Sequence, residues 1–331
     1  MTTSSIPKTQ QRRPLWFRAL RTTTVAVAIL LVLASVSTVA NAGITSSEKS
    51  ELVPYGQKVT IASGDINVYR NGGSGPTMVL LSGYGTAAPA VDFAPLVREL
   101  DAFDVIVVER FGYGYSDLDV PDRSIENVTS ELHEVLAKLN VTSPVILVGH
   151  SVGGLYTHYY ANAYPGEVSA IIGIDPMTAK TSSLEVGTPS VIDGLLNTLG
   201  LLRVTSTLAP DLFQPPGTAY TSDERKRYAA MTNWNNGNAS VSDEWSQIGA
   251  NSTKANLKPL PSDLPVLEML SSESVKTLPN WLSDHKAELA GVTTHRLEVL
   301  EGAHYLHWTQ SPAMARIISE FITASVEKVT S

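Results

Sequence analysis

The chain has 331 residues, of which 43% are hydrophobic, and carries a formal net charge of −8 with no cysteine. This length is sufficient for one large catalytic domain with an insertion, and the lack of cysteine excludes disulfides, thiolate catalysis and cysteine-ligated metals. The segment after residue 42 holds 19 basic and 32 acidic residues, a balance that disfavours binding of nucleic acid or anionic lipid through charge.

Residues 1–42 show the pattern of an export signal. A basic segment precedes an uncharged apolar stretch over residues 25–40, and Ala40-Asn41-Ala42 fits the small-x-small pattern of a signal-peptidase site. This ending favours cleavage, which would make Gly43 the first mature residue. The basic residues are Lys8, Arg12, Arg13, Arg18 and Arg21.

An uncleaved signal anchor is the alternative, because the uncharged stretch counted from Thr22 reaches the ~20 residues that span a bilayer. Residues 22–42 would then anchor the protein in the membrane. In both cases the positive charges stay inside, so residues 43–331 are expected outside the cytoplasm, either secreted or anchored to the outer face of the cytoplasmic membrane.

Residues 43–57 are mostly polar and are expected to form a flexible lead-in. Two short alternating runs over residues 59–70 are broken by Gly64-Asp65, which predicts a β-hairpin. Residues 77–81 predict a buried strand that leads directly into Ser82-Gly83-Tyr84-Gly85, with a helix expected to end at Leu100. A further strand over residues 104–109 precedes a glycine-rich loop and a helix capped by Ser124.

The stretch around Ser151 predicts a sharp turn between a strand and a helix. Residues 145–148 form an unbroken apolar run, typical of a strand buried on both faces. Gly149-His150-Ser151-Val152-Gly153 follows and fits the G-x-S-x-G nucleophile elbow. The glycines are needed because a Cβ at either position would collide with the neighbouring strand or helix. The positive end of the following helix would stabilise an oxyanion on a substrate bound at Ser151.

Later apolar runs predict strands over residues 170–175, 265–270 and 296–300, and a helix over residues 312–326 closes the chain. Strands that alternate with helices imply an α/β fold, with a mostly parallel sheet and helices on both faces. The roughly ninety residues between Asp175 and Leu264 interrupt this alternation, and they predict a helical cap insertion over residues 177–262.

Four motifs together resemble the α/β-hydrolase superfamily, and the resemblance covers residues 58–328. They occur in the order that the family uses, each after a predicted strand. The resemblance implies the α/β-hydrolase fold, with a core made of residues 58–176 and 263–331, and a serine-nucleophile hydrolase of the esterase or proline-iminopeptidase type. The motifs are Ser82-Gly83-Tyr84-Gly85, Glu109-Arg110-Phe111-Gly112-Tyr113-Gly114-Tyr115-Ser116, Gly149-His150-Ser151-Val152-Gly153-Gly154 and Gly302-Ala303-His304.

The resemblance assigns Ser151 as the nucleophile and His304 as its base, with His307 as a weaker competitor for the base. The triad acid is open between two positions. The family's usual place, after the strand at 265–270, offers only Ser271-Ser272-Glu273 and no Asp. Asp175 ends the preceding strand beside the elbow and is the favoured acid, with Glu273 as the alternative.

The oxyanion hole is expected to consist of the backbone N–H groups of Tyr84 and Val152. Many family members have a His at the position of Ser82, so the hydrogen bonding that holds this loop is open. Arg110 and Asp117, at the two ends of the glycine-rich loop, are expected to hold loops together.

The sequence therefore predicts an exported serine hydrolase that acts through an acyl-enzyme on an ester or amide small molecule, with an ester as the first choice. It needs no cofactor and no metal. The alternatives are an aminopeptidase of the proline-iminopeptidase type and a non-catalytic ligand-binding member of the fold. The substrate and the oligomeric state do not follow from the sequence.

Overall fold

The computed structural model describes residues 15–120, 122–178, 191–210 and 213–330. In this part of the chain, eight strands form one sheet. The strands are β1 (Gln57–Ile61), β2 (Gly64–Arg70), β3 (Thr77–Leu81), β4 (Asp104–Glu109), β5 (Val145–His150), β6 (Val168–Ile174), β7 (Val266–Ser271) and β8 (His295–Leu300).

The strand order across the sheet is β1-β2-β4-β3-β5-β6-β7-β8. The hairpin β1–β2 and the pair β2–β4 are antiparallel, and all the other pairs are parallel. Every residue of β5 is buried, because helices cover both faces of the central strands. The carboxyl ends of the parallel strands meet at one edge, which is where α/β sheets place their ligand sites.

The helices are α1 (Leu15–Glu51), α2 (Pro89–Asp92), α3 (Ala94–Glu99), α4 (Ile125–Lys138), α5 (Gly153–Ala163), α6 (Val191–Thr198), α7 (Leu201–Leu208), α8 (Ser222–Asn235), α9 (Ala239–Ala255), α10 (Ser272–Thr277), α11 (Trp281–Leu289) and α12 (Ser311–Thr330). One apolar core packs α2, α3 and α12 against the sheet. A second core packs α4, α5 and α9 on the other side. The predicted α/β architecture is therefore confirmed.

Within the described residues, four helices, α6 to α9, lie between β6 and β7, in the segment predicted to be the cap, and they are called the cap below. A buried ion pair ties this cap to the sheet: an N–H of the Arg110 guanidinium donates to Glu244 of α9 at 2.8 Å, and both side chains are at most 5% exposed. The hydroxyl of Tyr156 on α5 donates to the same carboxylate at 2.7 Å. The glycine-rich loop after β4 therefore holds the cap in place.

The N-terminal helix α1 continues through the segment that was predicted to be flexible. Residues 43–57 are helical up to Glu51, and Leu52 is buried. Within the described residues, the stretch from Thr22 to Glu51 is the one helix long and apolar enough to cross a membrane, and none of its most apolar 18 residues is buried. Of the predicted basic segment, Lys8, Arg12 and Arg13 lie outside the described residues.

Candidate active site

Ser151 stands on a sharp turn between β5 and α5. Its φ angle is +52°, a left-handed conformation that costs a non-glycine residue on the order of 1–3 kcal/mol. The flanking glycines make the turn possible. A Cβ on Gly149 would lie 2.6 Å from the backbone of Gly153, and a Cβ on Gly153 would lie 2.6 Å from the carbonyl oxygen of Leu81. The strand, the turn and the helix can therefore approach only without these side chains.

Asp175 lies beside the elbow, at the end of the neighbouring strand β6, and contacts His304. Its Oδ2 atom is 2.7 Å from Nδ1 of His304. Three other groups also donate to this fully buried carboxylate: the backbone N–H of Ser271, the hydroxyl of Ser274 and the indole N–H of Trp281. Burial raises the pKa of Asp175, but the hydrogen bonds from His304, Ser274 and Ser271 outweigh it and leave the pKa below its usual value.

His304 follows β8 on the loop at residues 301–305, and 38% of its side chain is exposed. Its ring centroid lies 4.8 Å from that of the buried His150, the residue before the elbow serine. The described residues include no hydrogen bond between the Ser151 hydroxyl and His304. Catalytic hydrogen bonds are often long in a site without substrate and tighten when the substrate binds.

Glu273, the alternative triad acid, and His307, the alternative base, lie in different surroundings. Glu273 is exposed at the start of α10, and in the described chain its carboxylate forms no hydrogen bond to His304. His307 is fully buried, and its Nε2 atom lies 2.6 Å from Oδ2 of Asp92, a carboxylate that also accepts from Trp308. His307 is therefore engaged with Asp92 and not with Asp175.

The two backbone groups predicted for the oxyanion hole lie beside the elbow. The N–H of Val152, at the start of α5, donates no hydrogen bond within the described residues. Tyr84 belongs to the loop after β3, and its ring packs on Trp245 of the cap with the centroids 4.6 Å apart. Next to Tyr84, Gly83 leaves space for His150 and Ser151, since a Cβ there would lie 2.8 Å from Nδ1 of His150.

The loop that carries Tyr84 is held by two side chains of the glycine-rich loop. The guanidinium of Arg110 donates to the carbonyl oxygen of Ser82 at 2.9 Å. The backbone N–H of Gly85 donates to the hydroxyl of Tyr113 at 3.1 Å. Ser82 stands where many family members have a His, and here Arg110 and Tyr113 provide the hydrogen bonds that hold the loop. Asp117, at the far end, accepts from the backbone N–H of Asp65 at 2.9 Å.

The family is decided by the comparison with known proteins. A family model described as the alpha/beta hydrolase fold matches residues 76–309, which include the elbow, Asp175 and His304. The chain belongs to the alpha/beta hydrolase family. The prediction made from the four motifs is thus confirmed at the level of the superfamily, and the catalytic roles of the individual side chains stay predictions.

The relatives of this hydrolase align with different shares of its length. The uncharacterized protein YbdG of Bacillus subtilis is 29% identical over 94% of this chain and 98% of its own. Lipase 1 of Psychrobacter immobilis is 30% identical over 36% of this chain and 38% of the lipase. Among solved structures, an epoxide hydrolase from Vigna radiata aligns with 81% of this chain and 97% of its own at a TM-score of 0.65 and 15% identity, a likeness of fold alone.

A cavity of about 560 Å³ lies between the cap and the core of this hydrolase. Its walls include Gly85 and Tyr305, which directly follow Tyr84 and His304, so the cavity lies next to the two loops that carry these residues; Ser151 and His304 themselves are not part of its described lining. The cap contributes Leu202 of α7 and Tyr228 of α8. Most of the cavity's described lining is apolar or aromatic, and none of it is acidic.

His150 was not singled out by the sequence analysis, although it stands inside the elbow motif. It is fully buried, and burial lowers its pKa well below the usual value, with His304 and His307 acting in the same direction. A neutral ring here fills the space behind Ser151 and His304 without adding charge. The Nε2 atom lies 3.3 Å from the carbonyl oxygen of His304, and this contact helps to position the loop.

One group of side chains in the described chain has the composition of a metal site. The ligand atoms of Glu268, His285 and Glu288 lie within 4.8 Å of one another. Each member already has a partner: His285 contacts Glu268 at 2.8 Å, and Glu288 is contacted at 3.1 Å by His158, which is outside the group. Burial raises the pKa of Glu268, whereas the hydrogen bond from His285 lowers it. None of these residues is part of the described lining of the cavity between the cap and the core.

Proposed function

We propose that this protein is a serine hydrolase that cleaves a small-molecule ester through an acyl-enzyme. The observation that carries the proposal is the contact between Asp175 and Nδ1 of His304, beside a serine held on a strained elbow. The geometry leaves Nε2 of His304 for the serine proton. The names of relatives such as Lipase 1 support ester chemistry.

In the proposed reaction Oγ of Ser151 attacks the ester carbonyl carbon while Nε2 of His304 accepts the hydroxyl proton. Asp175 accepts a hydrogen bond from Nδ1–H of His304, which fixes the tautomer and stabilises the imidazolium. The N–H groups of Val152 and Tyr84 stabilise the negative oxygen, each by about 3 kcal/mol. His304 then protonates the departing alcohol, and the same residues activate a water that hydrolyses the acyl-enzyme.

The described walls of the cavity favour an ester over an aminoacyl substrate. An aminopeptidase of the proline-iminopeptidase type needs a carboxylate to hold the substrate amine. The lining that the structure describes offers aromatic and apolar side chains, among them Phe213, Tyr228 and Trp308, and no acid. Such walls suit an acyl or aromatic group.

We further propose that residues 22–42 serve as an uncleaved signal anchor and that the catalytic domain lies outside the cytoplasm. Two features support an anchor over cleavage. The helix α1 is continuous through Ala40-Asn41-Ala42. The side chain of Asn41 donates to the carbonyl oxygen of Asn197 at 3.0 Å and accepts from Arg203 at 2.8 Å, so the candidate cleavage site is held against the cap.

Labelling with a fluorophosphonate tests the chemistry. The wild-type protein should gain one covalent adduct, located on Ser151 by peptide mass spectrometry, and should hydrolyse p-nitrophenyl esters faster than aminoacyl-naphthylamides. Labelling of a different serine would refute the assigned nucleophile. A protein that neither labels nor turns over either substrate class would be the non-catalytic member of the fold. Faster aminoacyl-naphthylamide cleavage would favour the peptidase.

A further inference from the structure

The first observation is an apolar stretch of α1 that no other part of the described protein covers. Residues 22–42 comprise 21 residues without a charge. At 1.5 Å per residue they extend about 31 Å, the thickness of the hydrocarbon core of a bilayer. Their large side chains stay open to the surroundings: Leu30 is 64% exposed, Val36 is 62% exposed and Val39 is 72% exposed.

The second observation is a set of contacts that fixes the cap at the end of this stretch. The hydroxyl of Ser37 donates to the carbonyl oxygen of Leu199, in the turn between α6 and α7, at 2.6 Å. One helical turn further along α1, Asn41 bonds to Asn197 and Arg203. The turn between α6 and α7 therefore lies at the level of the last apolar residues of α1, where a membrane-spanning helix leaves the hydrocarbon.

Contacts that involve a charged carboxylate begin directly after this level. The guanidinium of Arg203 extends along α1 and donates to the hydroxyl of Thr45 at 3.0 Å and to the carboxylate of Glu48 at 2.5 Å. The indole N–H of Trp234 donates to the same carboxylate at 2.8 Å. These bonds join α1 firmly to the cap, so that the direction of α1 determines how the cap faces a membrane.

The third observation is the outer face of α7. Leu201, Val204 and Leu208 lie at positions i, i+3 and i+7, which places them on one side of the helix, and they are 45%, 52% and 80% exposed. Leu196 of α6 is 37% exposed beside them. Single exposed apolar residues are ordinary, but a row of them next to an uncovered membrane span indicates an interaction surface.

We propose that the α6–α7 hairpin, residues 191–208, lies in the outer-leaflet interface of the bilayer that α1 spans. The row Leu201, Val204 and Leu208 enters the boundary between headgroups and acyl chains. The binding is apolar, because the exported part of the chain is acidic and has no charge-based attraction to anionic lipid. This proposal rests on the anchored serine hydrolase proposed above.

The same hairpin connects the membrane to the active site. Leu202, adjacent to Leu201 but on the inner side of α7, lines the cavity whose walls also include Gly85 and Tyr305, the residues that follow Tyr84 and His304. A single helix thus separates the outer leaflet from the cavity. The substrate class that this arrangement fits is an amphiphilic ester with a hydrophobic acyl chain, which partitions into the membrane and enters the cavity from the lipid side.

The lack of cysteine in the chain permits a site-specific test. A fluorophore sensitive to its environment is attached to Leu208→Cys in the full-length protein, reconstituted into phosphatidylcholine vesicles. The matched control is Leu257→Cys, because Leu257 is 78% exposed and also apolar. Leu257 follows α9 and lies near the core helix α5, since the carbonyl oxygen of the neighbouring Lys258 accepts from His158.

Lipids that carry a nitroxide should quench the label at position 208 strongly and the label at position 257 little, in low and in high salt. Equal quenching at the two sites, or stronger quenching of position 208 by aqueous iodide than by the lipid, would overturn the proposed docking. Recovery of a chain that starts at Gly43 would also overturn it, since the membrane span would be lost. This measurement does not depend on activity, so it stands even if the proposed hydrolysis fails.

Delivery of the substrate is tested with Leu208→Asp, which places a charge on the outer face without altering the cavity lining. We expect kcat/KM for a long-chain p-nitrophenyl ester in vesicles to fall by about tenfold or more, and kcat/KM for a soluble short-chain ester to change less than about twofold. An equal change for both esters would contradict delivery from the membrane. A wild-type protein that hydrolyses neither ester would refute the proposed function instead.

Discussion

Ser151 and Asp175 occupy neighbouring positions at the ends of two paired parallel strands, and both have positive φ angles, of +52° and +40°. The register of β5 and β6 pairs His150 with Ile174, so the two residues leave the sheet side by side. The backbone N–H of Ser151 donates to the carbonyl oxygen of Ile174 at 3.2 Å. Two adjacent strained turns at one sheet edge are typical of a functional site, where the surrounding structure maintains the strain.

The strain at Ser151 predicts different stabilities for two variants that both lack the hydroxyl. Glycine adopts the left-handed conformation without strain, whereas alanine does not. The free energy of unfolding of Ser151→Gly should therefore be about 1 kcal/mol higher than that of Ser151→Ala. Urea denaturation followed by circular dichroism measures the difference. Both variants should lose fluorophosphonate labelling. Equal stability of the two would mean that the backbone relaxes in the alanine variant.

Asp175 and Glu273 provide a direct test of the triad acid. Asp175→Asn should lower kcat by about three orders of magnitude or more, because the amide no longer holds the correct tautomer of His304 or stabilises its imidazolium. Glu273→Gln should cost less than roughly tenfold, since this side chain is exposed and makes no bond to His304 in the described chain. Steady-state rates with a p-nitrophenyl ester distinguish the two. The reverse ranking would make Glu273 the acid.

The same Asp175 variant should also change how stability depends on pH. The pKa of Asp175 in the folded protein lies below its usual value, so its carboxylate adds stability at pH values above the unfolded pKa of about 3.9. This contribution is lost as the pH falls through the folded pKa. The stability gap between the wild type and Asp175→Asn should therefore be larger at pH 6 than near pH 3. A gap that does not change with pH would mean that Asp175 has the same pKa in the folded and unfolded states, and a gap that shrinks as the pH rises would mean that the buried carboxyl is protonated.

His304 and His307 should respond oppositely to substitution by alanine. His304→Ala should lose orders of magnitude in rate with little change in stability, because the ring is partly exposed and its partner Asp175 keeps three other donors. His307→Ala leaves Asp92 with one donor fewer in a fully buried position and should lower the free energy of unfolding by about 1–3 kcal/mol. Parallel rate and denaturation measurements separate the two. A larger rate loss for His307→Ala would exchange their roles.

The sequence predicted the sheet, the elbow and the order of the motifs because these depend on local patterns. The run Val145-Ile146-Leu147-Val148 is apolar without a break, and Gly149 and Gly153 are fixed by close contacts that any residue with a Cβ would break. The helix α1 was predicted less well at its C-terminal end. Residues 43–51 are polar and carry no helical periodicity, yet Glu48 is held by Arg203 and Trp234 from the cap.

The surroundings of Asp175 could not be derived from the sequence, because they depend on residues far apart in the chain. The loop after β7 lacks the family's usual Asp, and the sequence alone leaves open what replaces it. In the structure Ser271 and Ser274 of that region, with Trp281 of α11, all donate to Asp175. The region after β7, where the family usually has its Asp, thus supplies hydrogen-bond donors to a carboxylate at the end of β6. The contact between Asp92 and His307, 215 residues apart, gave no sequence signal at all.

The attachment of the cap is tested by comparing two ion pairs that both join α9 to the core. Glu244 pairs with Arg110 and is at most 1% exposed, whereas Lys254 pairs with Glu126 at 2.7 Å and both side chains are more than a third exposed. Glu244→Ala leaves the guanidinium of Arg110 buried without its countercharge. It should therefore lower the free energy of unfolding by about 3–5 kcal/mol. Glu126→Ala should cost at most about 1 kcal/mol, because an exposed pair is solvated and screened by salt.

Glu244→Gln tests whether the ion pair with Arg110 also affects the catalytic rate. The amide keeps the shape of the side chain but removes the charge that holds Arg110, whose guanidinium also fixes the carbonyl of Ser82 beside Tyr84. If the loop shifts, the N–H of Tyr84 stabilises the negative oxygen less well, and kcat should fall by about tenfold or more while KM changes little. Rates should be compared with those of Glu126→Gln, which alters a cap contact far from this loop. A loss confined to stability, with kcat unchanged in the folded fraction, would mean that Tyr113 alone suffices to position Gly85 and the loop.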